Sequence, residues 1–112
     1  MRTQTFSPGD VVIVPFPFTD RATSKRRPAL VCSSEGFNTQ ARHVVLAMIT
    51  TAGHSTWPGD VPITEMESAG LPAPSVVRWK LFTLDRALVL RRSGALSAPD
   101  RTSCKGAHPF SL

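Results

Sequence analysis

Residues 10–16 of the chain read DVVIVPF, and residues 43–51 read HVVLAMITT. Both stretches are short and rich in β-branched and apolar residues, which favours β-strands over helices. They predict a first strand from Asp10 to Phe16 and a third strand, buried on both faces, from His43 to Thr51. Proline has no backbone N–H, so the PFPF segment at 15–18 is not expected in the middle of a hydrogen-bonded ladder.

Other short apolar stretches predict further strands. They are ALVCS at 29–33 after Pro28, DVPI at 60–63, SVVRWKLF at 75–82 and ALVLRR at 87–92, with Gly94 ending the last one. Residues 19–27 and 52–59 read as loops, and residues 35–42 as a turn or short helix. Several short strands with little helix indicate a small barrel or sandwich, and 112 residues fit one mainly β domain.

The C-terminal segment predicts little structure. Ser97 to Asp100 matches a helix start, with the acidic residue near the positive helix end. The residues that follow lack apolar side chains at helical spacing and include Gly106 and Pro109. We therefore expect a reduced C-terminal helix of about one or two turns.

Composition limits the class of protein. The chain contains 13 Lys and Arg against 8 Asp and Glu, a formal net charge of +5, which attracts polyanions such as nucleic acid, although solubility alone can also explain it. No stretch approaches about 18 consecutive apolar residues, and the N-terminal residues lack an apolar signal core. Two isolated cysteines fit a reducing compartment, so we expect a cytoplasmic protein without a membrane span.

A basic run, Lys25, Arg26 and Arg27, precedes the second strand. A guanidinium group can bind two phosphate oxygens at once through two parallel hydrogen bonds. The proline after Arg27 restricts the backbone and would hold the side chain in place, which favours a functional role for Arg27. For Lys25 and Arg26 a solvated basic loop is the favoured interpretation. On the predicted fifth strand, alternation places Arg78 and Lys80 on one face, where they could bind an anion.

Three further residues have both a functional and a structural interpretation. Thr50 ends an apolar strand, where sites are often built, but its β propensity alone can explain it. Phe18 and Trp57 border loops and could stack on bases, although core packing is an alternative for Phe18. The histidines and cysteines show no ligand spacing, so the sequence predicts no metal site and no cofactor.

In this order along the chain, GDVVIVPFPFTD, KRRPALVCS, VVLAMIT, GDVPI, AGLPAPSVVRWKLFTLDRALVLRR and GALS resemble the MazF/PemK/Kid toxins of type II toxin-antitoxin modules, and most of all the PemK-like branch. The resemblance implies an SH3-like barrel, a homodimer and a cognate antitoxin protein as partner. It also implies a metal-independent endoribonuclease that cuts single-stranded messenger RNA at short sequences.

The family's functional positions fall on Arg27, Thr50 and Arg78, which the resemblance implies as catalytic residues. Lys80 occupies the place of the family's aspartate, so a carboxylate is absent there. Lys25, Arg26, Lys80, Phe18 and Trp57 are the expected RNA-binding residues. The resemblance implies attack by the 2′-OH and products with 2′,3′-cyclic phosphate and 5′-OH ends.

Two alternatives on the same barrel are not enzymes. One is a toxin that inhibits DNA gyrase, as related CcdB-type proteins do, and the other is a nucleic-acid-binding module. The family usually ends in an amphipathic helix, whereas the polar tail of this chain predicts only a reduced one.

Overall fold

A computed structural model describes residues 5–16, 25–53 and 55–107. Six antiparallel strands form a half-barrel in the order β4-β5-β3-β2-β1-β6. The strands are β1 (Asp10–Phe16), β2 (Lys25–Val31), β3 (His43–Thr51), β4 (Val61–Pro62), β5 (Ser75–Asp85) and β6 (Arg91–Ala95). The helices are α1 (Glu35–Ala41), α2 (Met66–Ala69) and α3 (Ala98–Ala107), with a 3-10 turn at Arg86–Leu88. The predicted mainly β fold is confirmed.

The strand alternation divides the apolar side chains between the two faces of the sheet. One face contains Trp79 and packs against α2 and α3, with Leu96, which follows β6, in the same core. The other face contains Val12, Val14 and Leu46, and Phe6 packs against it. This second face continues beyond its apolar part into the candidate site.

Four predicted strands have different bounds in the structure: β4 is shorter than DVPI, β5 extends beyond Phe82 to Asp85, and β2 and β6 differ more. β2 begins at Lys25, not after Pro28, because Lys25 pairs with Phe16 and Arg27 pairs with Val14 in the ladder with β1. The loop predicted to extend to Arg27 was therefore too long at its C-terminal end. Residues 17–24, including Phe18, lie outside the described residues.

β6 spans Arg91–Ala95, so the prediction that Gly94 ends a strand at 87–92 was wrong. Gly94 lies inside β6, where a Cβ atom would overlap the backbone carbonyl of Ser68 in α2. A Cβ on Gly70, which has φ +70°, would overlap the carbonyl of Ser93. Glycine is required at both positions because the α2 segment and β6 meet backbone to backbone.

The predicted helix start at 97–100 is confirmed, but the reduced helix was wrong, because α3 has 10 residues, about three turns. Long-range contacts replace the missing apolar periodicity. The carboxylate of Asp100 is 1% exposed and accepts hydrogen bonds from Thr64 N, Thr64 Oγ1 and Glu65 N at 2.6–3.1 Å. Cys104, one turn later, is buried in the core.

Candidate functional site

Arg27 and Thr50 lie on neighbouring strands at the same level of the sheet. Ala29 of β2 pairs with Met48 of β3. Continuing this antiparallel register by two residues on each strand brings Arg27 level with Thr50, on the same face. The structure therefore brings together two residues that are 23 positions apart in the sequence.

Both residues line one open cavity of about 330 Å³. The remaining lining is largely apolar, with Phe16, Met48 and Phe82 among its residues, and the hydroxyl residues Thr51 and Ser75 complete it. Among the lining residues that the structure describes, Arg27 alone carries a charge. The cavity, which we call the Arg27 cavity, thus offers a cation and hydroxyl groups to an anionic ligand, with apolar walls that strengthen electrostatic interactions.

Arg78 lies on the same face, because it pairs with Met48 across β3 and β5. Its side chain is bound within the protein. Nε and Nη2 donate to the Asp60 carboxylate at 3.2 and 2.9 Å, and Nη1 and Nη2 donate to Ser55 Oγ and O at 3.0 and 3.2 Å. The Arg78 side chain is 11% exposed and that of Asp60 17%. A phosphate contact by Arg78 would compete with these partners, so its catalytic role stays a prediction.

The sequence interpretation did not single out Asp60. The hydrogen bond from Arg78 holds the pKa of Asp60 below its usual value, and the same bond raises the pKa of Arg78. Asp60 therefore supplies a carboxylate beside Arg78. This is so although Lys80, two residues after Arg78, occupies the place of the family's aspartate. No local pattern in the sequence marks Asp60: it becomes level with Arg78 only because Val61 of β4 pairs with Val77 of β5.

The predicted RNA-binding residues that the structure describes lie in two places. Lys25 and Arg26 are exposed at the start of β2, beside Arg27. Trp57 is 42% exposed, and Lys80 Nζ lies 4.5 Å from the centroid of its ring. Trp79, between Arg78 and Lys80, is buried in the core, as predicted.

The two cysteines line a second cavity of about 260 Å³ beside α3. Burial raises the pKa of Cys32 and of Cys104 to about 11, so both are neutral thiols at neutral pH. Within residues 5–16, 25–53 and 55–107 no group of three His, Cys, Asp or Glu side chains could hold a metal ion. No helix in those ranges is long and apolar enough to cross a membrane.

Residues 7–107 match the family described as PemK-like, MazF-like toxin of type II toxin-antitoxin system. The chain belongs to this toxin family. The confirmed resemblance also explains the barrel, because the fold is that of solved MazF-like structures. No match was found among curated proteins.

Three solved structures illustrate the likeness. The Mycobacterium tuberculosis toxin MazF-mt6 is 25% identical with a TM-score of 0.70, and the match covers 88% of this chain and 90% of that one. MazF from Deinococcus radiodurans is 20% identical with a TM-score of 0.71 and 94% coverage of both chains. An endoribonuclease from a Mycobacterial species, in complex with its cognate antitoxin, is 16% identical with a TM-score of 0.71, covering 94% of this chain and 90% of that one.

Proposed function

We propose that this PemK/MazF-family toxin is an endoribonuclease that cleaves single-stranded messenger RNA without a metal or cofactor. The observation that carries the proposal is the position of Arg27 and Thr50, level with each other on β2 and β3 and lining one cavity. RNA contains its own nucleophile, the 2′-OH, so the protein needs to orient it and to stabilise the charge of the phosphorane.

In this mechanism the scissile phosphate occupies the Arg27 cavity. Arg27 binds its oxygens and stabilises the charge that develops on them, and the Thr50 hydroxyl donates a hydrogen bond. The 2′-oxygen forms a bond to phosphorus while the bond to the 5′-oxygen breaks. The 2′-OH loses its proton and the 5′-oxygen gains one, which leaves a 2′,3′-cyclic phosphate and a 5′-OH.

Arg27 is assigned to charge stabilisation and not to proton transfer, because a guanidinium group holds its protons too tightly to act as an acid at neutral pH. Lys25 and Arg26 extend the positive surface along β2 toward the RNA backbone. Trp57 and Lys80 are proposed to bind a base and a phosphate next to the scissile bond. Phe18, outside the described residues, remains a predicted stacking residue.

The proposed partners follow from the family and from its solved complexes. Solved MazF-like toxins include an endoribonuclease with its cognate antitoxin and MazE-MazF from Deinococcus radiodurans. We propose that an antitoxin binds this chain, that the toxin acts in the cytoplasm, where messenger RNA is translated, and that it is a homodimer.

The test incubates the purified chain with a long single-stranded RNA in the presence of EDTA. We expect discrete cuts whose downstream fragments accept a labelled phosphate from polynucleotide kinase without prior dephosphorylation, because their 5′ ends are free hydroxyls. Arg27→Ala should lower kcat/KM by about 30- to 1,000-fold, by analogy with loss of an oxyanion donor. Arg91→Ala, which removes an exposed arginine from the edge strand β6, is the matched control and should cleave normally.

Undiminished cleavage by Arg27→Ala would overturn the assignment of the site. RNA that stays intact but is bound would support a nucleic-acid-binding module. Inhibition of gyrase supercoiling by a chain that leaves RNA intact would support the gyrase-inhibitor alternative.

A further inference from the structure

Residues 55–60, which we call the Trp57 loop, are held by a side chain of β5. Arg78 of β5 donates two hydrogen bonds to the Asp60 carboxylate and two to Ser55. These partners stand at the two ends of the loop. One guanidinium group thus fixes both ends, because its N–H donors have a rigid planar arrangement.

The loop contains a tight turn that fixes the backbone of Trp57. Asp60 N donates to Trp57 O at 3.1 Å, and Trp57 N donates to Asp60 Oδ2 at 3.0 Å. Pro58 and Gly59, with φ +81° at Gly59, are typical of a type II turn. Trp79 Nε1 also donates to Gly59 O at 2.8 Å. The backbone N–H and C=O groups of Trp57 are therefore both hydrogen-bonded to Asp60.

An irregularity in β5 places three successive residues against this loop. Met48 pairs with Arg78 and Ala47 with Leu81, so β5 takes three residue steps while β3 takes one. Bulges of this kind change the direction of side chains. Arg78 and Trp79 bond to the loop backbone or carboxylate, and Lys80 lies over the Trp57 ring.

The result is an aromatic ring that is exposed but attached to a fixed backbone. Trp57 keeps 42% of its surface exposed, with the Lys80 ammonium 4.5 Å from its centroid. An unpaired base stacks on such a ring, and a neighbouring cation attracts the adjoining phosphate. A fixed platform binds more tightly than a mobile one because less conformational entropy is lost on binding.

The engagement of Arg78 favours an indirect role for this residue. Four hydrogen bonds use most of its five N–H donors, and its side chain is 11% exposed. Turning toward a phosphate would leave the Asp60 carboxylate without its cation at a mostly buried position. Such a loss is unfavourable, because a poorly solvated charge then stands alone.

We propose that Arg78 is a positioning residue that, with Asp60, holds the Trp57 loop so that Trp57 and Lys80 form a stacking subsite for an unpaired base of the RNA substrate. The inference rests on the proposed function and deepens it. It assigns the scissile phosphate to Arg27 and Thr50, and a flanking nucleotide to the Trp57 loop.

The experiment measures kcat and KM for a short single-stranded RNA with one cleavage site, and the Kd of the same RNA with a 2′-O-methyl group at that site. Arg78→Lys keeps the charge but replaces the planar set of three donor nitrogens with a single one, which cannot reproduce the four hydrogen bonds to Asp60 and Ser55, and Asp60→Asn keeps the shape. We expect each to raise KM and Kd about tenfold, as Trp57→Ala does through loss of stacking, with kcat changed less than about threefold. Thermal melts verify that each variant is folded.

A double-mutant cycle tests the mechanism of positioning. If Arg78 acts through Trp57, the combined Arg78→Lys and Trp57→Ala variant should be no worse than Trp57→Ala alone. Additive effects would show that the two residues act independently and would overturn the inference. Arg91→Ala removes an arginine on β6, away from the Trp57 loop, and should change neither KM nor Kd by more than about twofold.

Other outcomes separate this inference from the proposed function. A fall in kcat at unchanged KM in Arg78→Lys, as expected for Arg27→Ala, would place Arg78 at the scissile phosphate and overturn positioning alone. A fall in kcat in Asp60→Asn, with loss of the low-pH limb of the rate profile, would make Asp60 a proton acceptor and overturn it as well. If the wild-type chain binds RNA without cutting, the proposed nuclease fails, and equal loss of RNA binding in Arg78→Lys and Trp57→Ala still supports the subsite.

Discussion

Asp100 attaches the C-terminal helix to the barrel, and its replacement by alanine is the sharpest test of how α3 is held. The carboxylate is 1% exposed and accepts hydrogen bonds from Thr64 N, Thr64 Oγ1 and Glu65 N. A hydrogen bond to a charged group contributes about 1.5 kcal/mol or more, and water can replace part of this for donors near the surface. Three such bonds predict a loss of about 3 to 4 kcal/mol in the free energy of unfolding.

The assay is urea unfolding followed by tryptophan fluorescence, with the denaturant slope compared between variants. Asp85→Ala is the matched control, because the exposed Asp85 accepts one hydrogen bond from Ala87 N at the start of the 3-10 turn. Loss of this hydrogen bond should lower the free energy of unfolding by about 1 kcal/mol or less. If Asp100→Ala is no more destabilising than Asp85→Ala, the contacts with Thr64 and Glu65 do not hold α3.

The same carboxylate predicts a pH dependence with a definite sign. Burial raises the pKa of Asp100, but the hydrogen bonds from Thr64 and Glu65 lower it by a larger amount. The net shift of the pKa is therefore downward. A lowered pKa stabilises the folded state above the unfolded value near 3.8, and this stabilisation is lost as the pH falls through the folded pKa. The difference in stability between the wild-type chain and Asp100→Asn should therefore be largest near pH 7 and smaller at about pH 3.

Three further predictions concern the closure of the barrel, the thiols and the cavity. Gly94→Ala should destabilise the fold by about 2 kcal/mol or more in urea unfolding, because the α2 backbone occupies the space of the new methyl group. Since burial raises the pKa of Cys32 and Cys104 from 9.0 to about 11, stability should fall as the pH rises through this range, and iodoacetamide should label both thiols faster in urea than in the folded protein at neutral pH. Thr50→Val should lower kcat/KM about 10- to 100-fold through loss of one hydrogen bond to a charged oxygen, whereas Thr83→Val, at an exposed position of β5, should leave it unchanged.

The strands most accurately predicted are those whose local composition agrees with their surroundings. β1 and β3 were placed correctly to the residue because β-branched and apolar residues fill them after a polar first residue. β6 was misplaced, because RRSGA has little β propensity and forms a strand only where Arg91 to Ala95 pair with β1. The length of α3 was missed for the same reason, since its main attachment is a carboxylate and not an apolar stripe.

The residues of the candidate site were also identified only in part from the sequence. Sequence and family resemblance identified Arg27, Thr50 and Arg78 as separate positions, and the register of three strands places them on one face of the sheet. Asp60 escaped notice because one acidic residue before a two-residue strand carries no local signal. Its relation to Arg78 exists only through the pairing of β4 with β5.

By itself, then, the sequence determined the mainly β class, the positive charge and the residue types available for binding a phosphate, since these depend on local propensity and composition. Tertiary structure alone decided what each polar group contacts: the pairing of Arg78 with Asp60, the exposure of Trp57 over a fixed turn and the attachment of α3 through Asp100. The physical reason is that hydrogen bonds and ion pairs depend on distances of about 3 Å between residues far apart in the chain, which only strand register and packing set.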